Sequence, residues 1–347
     1  RISCLKTQGL YVPKVIYKED GVLSVECCPA KCLYGDNVQE VSINDFDRFV
    51  HYLKDFLAKL GIKTTLEHIR FATCWRVDYA KLIYASASSG YIMDLFSNAV
   101  PQGRRKSSIT VYHNEGKAVS ESLKRRRLVL YDKKREVLND SHNSEELKEL
   151  MRQLSGSLWR MEYSMKTAKE IKRELKQTAY DERVELWYLF NEKIGQCILQ
   201  KHFRDLQGCI VCWHPNQALS FIRKAMEDSS IQGRRKTVYQ MALALLVAIL
   251  GIKNVIPIIK EHAGASQARA FVRSAKQLQT LINPNFDVYL ADINKALQSM
   301  QPMRWQELQS LPSKDNSEFF SCLNAPVLLT NILDKCKRKL GKSLGGK

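Results

Sequence analysis

The sequence lacks the motifs by which many enzymes of its length declare a cofactor. It has no Walker loop, no Gly-x-Gly-x-x-Gly turn and no lipase-type serine elbow, so an ATPase, a dinucleotide enzyme or a serine hydrolase has no support. Its seven histidines, at 51, 68, 113, 142, 202, 214 and 262, include no His-hydrophobe-His pair, which takes away the usual strand-borne imidazole metal site. Ten cysteines without a secretory signal read as reduced thiols in a cytoplasm. Cys209-x-x-Cys212 with His214 is half of a zinc site, and no second pair completes it. Cys27, Cys28 and Cys32 can supply further ligands in principle, but structural thiols are the simpler reading. The apolar run at 241–259 approaches membrane-spanning length, yet Gly251, Lys253, Asn254 and Pro257 interrupt it. A buried helix, a break and a second helix fit it better, and no membrane partner is expected. No internal repeat is present. The chain opens on Arg1, which reads as a fragment or processed product with an N-terminal strand missing.

Positive charge, in contrast, is plentiful. Against 36 Asp and Glu stand 54 Lys and Arg, a formal charge of +18, which predicts attraction to a polyanion. Such attraction is salt-sensitive and names a partner class without naming a target. At 347 residues, 45% hydrophobic, the chain has room for two domains, each with its own core.

The local patterns place elements along it. Residues 10–34 read as a hairpin turning at Glu19-Asp20-Gly21, followed by a loop over Pro29–Asn37. Ser42 or Asn44 caps a helix over 45–60 with an apolar stripe ending at Gly61. Period-two alternation marks a strand over 68–84, with Arg76 and Asp78 on one face. A helix near 88–99, a strand at 107–113, a basic linker at 113–127 and a strand at 125–132 follow. A helix begins at Asn143 or Ser144 and closes at Gly156, and Leu158–Met165 is a strand with Arg160 and Glu162 on one face. Beyond 168 the pattern is helical, over 168–178, 182–202, 216–228, 234–250, 254–262, 266–282 and 324–338. A boundary falls near 178. The fold class is therefore α+β, with an antiparallel-sheet domain over 1–178 and a mainly helical domain with a basic tail over 179–347. Within the second, His262-Ala263-Gly264-Ala265 turns into a helix carrying Arg269, Arg273 and Lys276, in the manner of a helix-turn-helix.

The sharpest local signal is Leu128-Val129-Leu130-Tyr131-Asp132-Lys133, a strand running into a charged helix start behind Arg125-Arg126-Arg127. A strand-end tyrosine with a lysine two residues on suits attack on a phosphodiester. The tyrosine oxygen is the nucleophile, and the lysine holds a phosphate oxygen or favours the phenolate. The plain alternative is a core tyrosine beside a solvated basic turn. Without a histidine pair, a metal rests on carboxylates, and Glu26, Asp78 and Glu162 are the strand-borne candidates for Mg²⁺ or Mn²⁺.

Four stretches, in order, resemble the rolling-circle replication initiators of the filamentous-phage gene II type and their plasmid relatives. They are Val25-Glu26 with Pro29-Ala30-Lys31-x-Leu33-x-Gly35-x-Asn37-Val38; Trp75-Arg76-Val77-Asp78; Thr110-Val111-Tyr112 leading to Leu128–Lys133 with Glu136; and Leu158-Trp159-Arg160-Met161-Glu162. The resemblance covers roughly residues 22–170. It implies that Tyr131 is the nicking nucleophile, with Lys133 and Glu136 as its motif partners. It implies a site-specific DNA endonuclease and strand transferase that opens one strand at an origin through a 5′-phosphotyrosine. Expected partners are origin DNA, single-stranded or supercoiled, and a host helicase and polymerase in a bacterial cytoplasm. Phosphate contacts are expected from Arg76, Arg104, Arg105, Lys106, Arg125, Arg126, Arg127, Lys134 and Arg160. A non-catalytic origin-binding regulator is the competing reading, and Tyr180 is a further tyrosine read as packing.

Overall fold

Apolar residues on both faces of three of its strands fold the middle of the chain into one five-stranded sheet. The computed structural model describes residues 11–17, 21–85, 108–112, 118–123, 125–141, 143–207, 235–282 and 287–313. A first hairpin pairs β1 (Lys14–Tyr17) with β2 (Leu23–Glu26) through Gly21 at φ 80°. The larger sheet contains β3 (Val77–Ala85), β4 (Ser108–Tyr112), β5 (Ala118–Leu123), β6 (Arg126–Asp132) and β7 (Ser157–Met165). Its order is β3-β7-β6-β5-β4 and every neighbouring pair is antiparallel. The protein is thus α+β, built on antiparallel sheets.

Several expected elements shift, each for a local reason. The Pro29–Asn37 loop is helical over α1 (Pro29–Tyr34), because Pro29 starts it and Gly35, at φ 83°, ends it in the left-handed region. The helix α2 (Phe46–Lys59) lies where its apolar stripe predicts. The strand expected from 68 begins only at Val77. Thr65 caps a short helix, α3 (Leu66–Arg70), by accepting from the His68 N–H, so the alternation of Ile69 and Phe71 is spent on a helix and its exit. The basic linker contains β5, whose Ser120, Glu121 and Ser122 give no strand signal and which is held by pairing on both sides.

Two helices stand between β6 and β7: α4 (Lys133–Asn139), and α5 (Glu145–Gln153) capped by Ser144. After β7, Thr167 caps α6 (Ala168–Gln177). The single helix expected over 182–202 is two, α7 (Leu186–Leu189) and α8 (Glu192–Gln207), since the Asn191 side chain accepts from the Lys193 N–H and restarts the chain. Further on come α9 (Arg235–Leu250), α10 (Ile252–Ile282), α11 (Asp287–Ser299) and α12 (Trp305–Gln309). Gly251, at φ 73°, ends α9, and α10 is broken by non-helical Gly264. The helices expected at 88–99, 216–228 and 324–338 lie outside the described residues, as does the Cys209–His214 cluster.

The two faces of the large sheet are covered differently. Odd-numbered residues of β3 and β7 and even-numbered residues of β6 (Ile83, Trp159, Met161, Tyr163, Leu128 and Leu130) face a core shared with Ile171 and Leu175 of α6. Ile194, Ile198, Phe203, Ile293 and Leu297 of α8 and α11 complete that core. It therefore runs across position 178, and helices from both sides of it pack on the same strands. Gly195 lets α8 come this close: a Cβ there would stand 2.8 Å from the Tyr79 ring. On the opposite face Leu82 and Leu158 pack with Val38, Val137, Leu147, Met151, Leu154 and Leu308. Helices α9 and α10 share their own small core, including Leu243, Val247, Val255, Phe271 and Leu278. Among the described residues no helix is long and apolar enough to cross a membrane.

Candidate active site

Tyr131 and Val129 of β6 point to the face opposite Leu128 and Leu130. Strand register sets Tyr131 beside Arg160, and Glu162 between Val129 and Ala80, on that same face. Asp132 then ends the strand abruptly: its Oδ1 accepts from the Arg135 N–H at 3.0 Å, capping α4 and starting the helix at Lys133. The tyrosine, the arginine, the glutamate and the lysine are brought together by that strand pair and that turn.

The contacts are specific. The Tyr131 hydroxyl donates to Glu162 Oε1 at 2.9 Å, and Arg160 Nε donates to the same oxygen at 2.6 Å. Arg160 Nη1 donates to the Asn37 carbonyl. Lys133, with its side chain 1% exposed, donates to Asn37 Oδ1 at 2.8 Å and to Glu136 Oε2 at 2.8 Å. Its Nζ lies 6.0 Å from the centre of the Tyr131 ring. That burial leaves the Lys133 ammonium facing protein groups and not solvent.

Burial pushes the Tyr131 phenol well above its ordinary pKa; Arg160 draws it back, and Glu162 and Glu136 push it further up. At neutral pH the resting tyrosine is a neutral donor. Burial also lowers the Lys133 ammonium, against the pull of Glu136. For Arg160 burial opposes the charge, yet Tyr131 and Glu162 beside it hold the guanidinium above its usual pKa.

The three carboxylates expected to hold a metal do not share one point. Glu26 and Asp78 face Arg76 from either side: Arg76 Nη1 donates to Glu26 Oε1 at 3.1 Å, while Nε and Nη2 grip the two Asp78 oxygens at 3.2 and 2.7 Å. Glu162 faces Tyr131 and Arg160. Among the described residues no group of three or more His, Cys, Asp or Glu is placed to hold a metal ion. As arranged, the donor set does not fit a divalent cation.

The expected DNA contacts are also sorted by the fold. Arg126 turns to the face away from Tyr131, where it lies 3.1 Å from Glu174 and 3.9 Å from Glu170. Lys134 Nζ donates to the carbonyls of Leu154 and Gly156, and Arg160 is committed to the site itself. Arg76, Arg125, Arg269 and Arg273 remain exposed or half-exposed, Arg127 is partly buried, and Lys276 is partly buried on α10. Arg104, Arg105 and Lys106 lie outside the described residues. Tyr180 meets Cys197 Sγ at 3.8 Å and packs against the core on the far face from Tyr131. Asn37, a part of the resembling stretches to which no role attaches from sequence, is the residue that joins Lys133 to Arg160.

The family described as the N-terminal part of the replication-associated protein encoded by phage gene II matches residues 7–182. The chain belongs to this family. It is a replication initiator of the filamentous-phage gene II kind, and the matched span includes the first hairpin, the five-stranded sheet and every residue of the Tyr131 site. No curated protein and no solved structure matches the chain. A replication initiator binds origin DNA, which accounts for the excess of positive charge.

Proposed function

We propose that this initiator nicks one strand of its origin by transesterification at Tyr131. The observation that carries the reading is the Tyr131 hydroxyl donating directly to Glu162, beside two cations, in a chain of this family. The Tyr131 oxygen attacks the phosphorus of the scissile phosphodiester while its proton passes to Glu162 Oε1. An oxygen–phosphorus bond forms to the tyrosine as the bond to the 3′ oxygen breaks. The departing oxygen takes a proton from water, which leaves a 5′-phosphotyrosine and a free 3′-OH that a host polymerase can extend. Because one phosphodiester replaces another, the reverse attack reseals the strand without ATP.

Arg160 and Lys133 lower the energy of the negative charge that grows on the tyrosine oxygen. Arg76, half-exposed at the same sheet face, is placed to meet a phosphate if it leaves its carboxylates. A requirement for Mg²⁺ or Mn²⁺ is proposed from the family resemblance alone, since Glu26, Asp78 and Glu162 as they rest here do not share one point, and it is tested by cleavage with each cation against chelator. The proton and charge roles above belong to the chain's own side chains. Origin DNA is the proposed substrate, and a host helicase and polymerase act on the opened strand. The exposed Arg269 and Arg273 on α10 suit phosphate or base contacts from the helical part.

The test is incubation with supercoiled DNA carrying the origin. The parent protein is expected to yield nicked circles with protein attached, and Tyr131→Phe to yield neither. A tight, salt-dependent gel shift without any adduct from the parent would instead support a regulator that only occupies the origin.

A further inference from the structure

We propose that Asn37 is a positioning residue of this site: as a neutral acceptor it holds Lys133 by its side-chain oxygen and Arg160 by its backbone carbonyl, and so places both cations around Tyr131. The inference rests on the nicking role of Tyr131 proposed above. Its oxygen, and not its amide nitrogen, must face Lys133, because an ammonium has only protons to offer.

The segment carrying Asn37 is pinned on both sides. Asp36 Oδ1 accepts from the N–H groups of Val38 and Gln39 at 2.8 and 2.9 Å, closing a tight turn around Asn37. Val38 is fully buried against the sheet. Glu40 then fastens the far side: it accepts from Lys81 Nζ and the Leu82 N–H of β3, both at 2.5 Å, and from the Met303 N–H at 2.8 Å. The Glu40 N–H returns a bond to the Met303 carbonyl at 2.8 Å. A residue near the far end of the described chain thus braces the loop that braces the nucleophile's cations.

The choice of amide over acid has a physical reason. Lys133 already has one carboxylate, Glu136 on its own helix, and looks toward Arg160 and Glu162 of β7 and Tyr131 of β6. A second carboxylate at 37 would tie the ammonium to itself and oppose a growing phenolate. A residue without an acceptor would leave a buried N–H of the ammonium unpaired.

Two substitutions therefore push Lys133 in opposite directions. Asn37→Asp raises its titration midpoint by about one unit, and Asn37→Ala lowers it. The midpoint is read by NMR of lysine labelled with ¹³C at Cε, with the Lys133 signal identified by its absence in Lys133→Met. The second readout is the pH profile of adduct formation on a pool of 3′-labelled randomised single-stranded oligonucleotides. There Asn37→Asp slows adduct formation about tenfold at fixed pH and moves the profile with the lysine. A purely structural role would slow both variants without moving Lys133 in opposite directions, and unchanged Lys133 midpoints in the folded variants overturn the proposal. If the midpoints shift but the adduct profile stays at the parent's pH, Asn37 holds the lysine without serving the reaction, which also overturns it. If the parent forms no adduct with any DNA while the lysine shifts, the nicking role of Tyr131 fails and the hold of Asn37 on Lys133 stands.

Discussion

The hydroxyl of Tyr131 points its proton at Glu162 Oε1, 2.9 Å away, and Arg160 Nε holds that same oxygen at 2.6 Å. This pairing was only half legible in the sequence. Strand periodicity puts Arg160 and Glu162 on one face, but which strand lies beside them is a matter of pairing; from sequence Glu162 is a metal candidate as a strand-borne carboxylate in a chain without a histidine pair. Glu162→Gln keeps an oxygen for the hydrogen bond and removes the base. Single-turnover adduct formation is expected to slow by about a hundredfold or more, with the melting temperature little changed. Adduct formation at the parent's rate would remove Glu162 from the proton path. Lys133 Nζ lies 6.0 Å from the centre of the Tyr131 ring, and opposite charges at about that separation, with an effective dielectric of about 20, attract by on the order of 3 kcal/mol. Lys133→Met should therefore slow the same step by about a hundredfold.

The strand-to-helix junction at Asp132 is the element that delivers these side chains, and its signal was present in the sequence as an acid ahead of a charged helix start. Asp132→Ala removes the cap from α4 and is expected to destabilise the fold by about 1 kcal/mol, measured by urea unfolding. Adduct formation should slow more than stability alone explains, since Lys133 and Glu136 both lie in the first turn. Asp132→Asn, which still accepts from the Arg135 N–H, should recover most of the stability; equal losses in both variants would show that the cap is not what matters. Elsewhere short elements misled. Thr65 turned a strand-like alternation into α3, and β5, polar at its centre over Ser120-Glu121-Ser122, is revealed by pairing with its two neighbours.

At the scale of the molecule, the face of the sheet away from Tyr131 is tied to its helices through Glu174, a fully buried carboxylate. It accepts from Lys201 at 2.8 Å, His202 Nε2 stands 3.0 Å from it, and Arg126 Nη1 donates at 3.1 Å. Burial opposes its ionisation, but His202 and Lys201 hold its carboxyl well below the ordinary range. The sign follows directly. The folded value lies below the unfolded one, near ~4.3, so the stabilisation is present above that pH and is lost as pH falls toward the folded value. Glu174→Gln should destabilise the protein by about 3 kcal/mol at neutral pH and flatten the loss of stability below about pH 4. Urea unfolding at several pH values checks both; an unchanged acid limb would exclude Glu174 as its source. Arg126 belongs to this cluster, which explains why a cation that reads as a phosphate contact in sequence faces away from Tyr131.

Composition and local pattern by themselves determined the partner class, the α+β character, the Tyr131–Lys133 turn and its family, because charge, periodicity and capping are carried by neighbouring residues. Tertiary structure alone decided what those residues do to one another. Strand register put Glu162 under the tyrosine hydroxyl, and burial took Lys133 out of reach of solvent. A loop closed by Asp36, Glu40 and Met303 brought Asn37 between two cations that are 27 residues apart in the chain. Those pairings are set by packing over long separations, and no single stretch of sequence contains them.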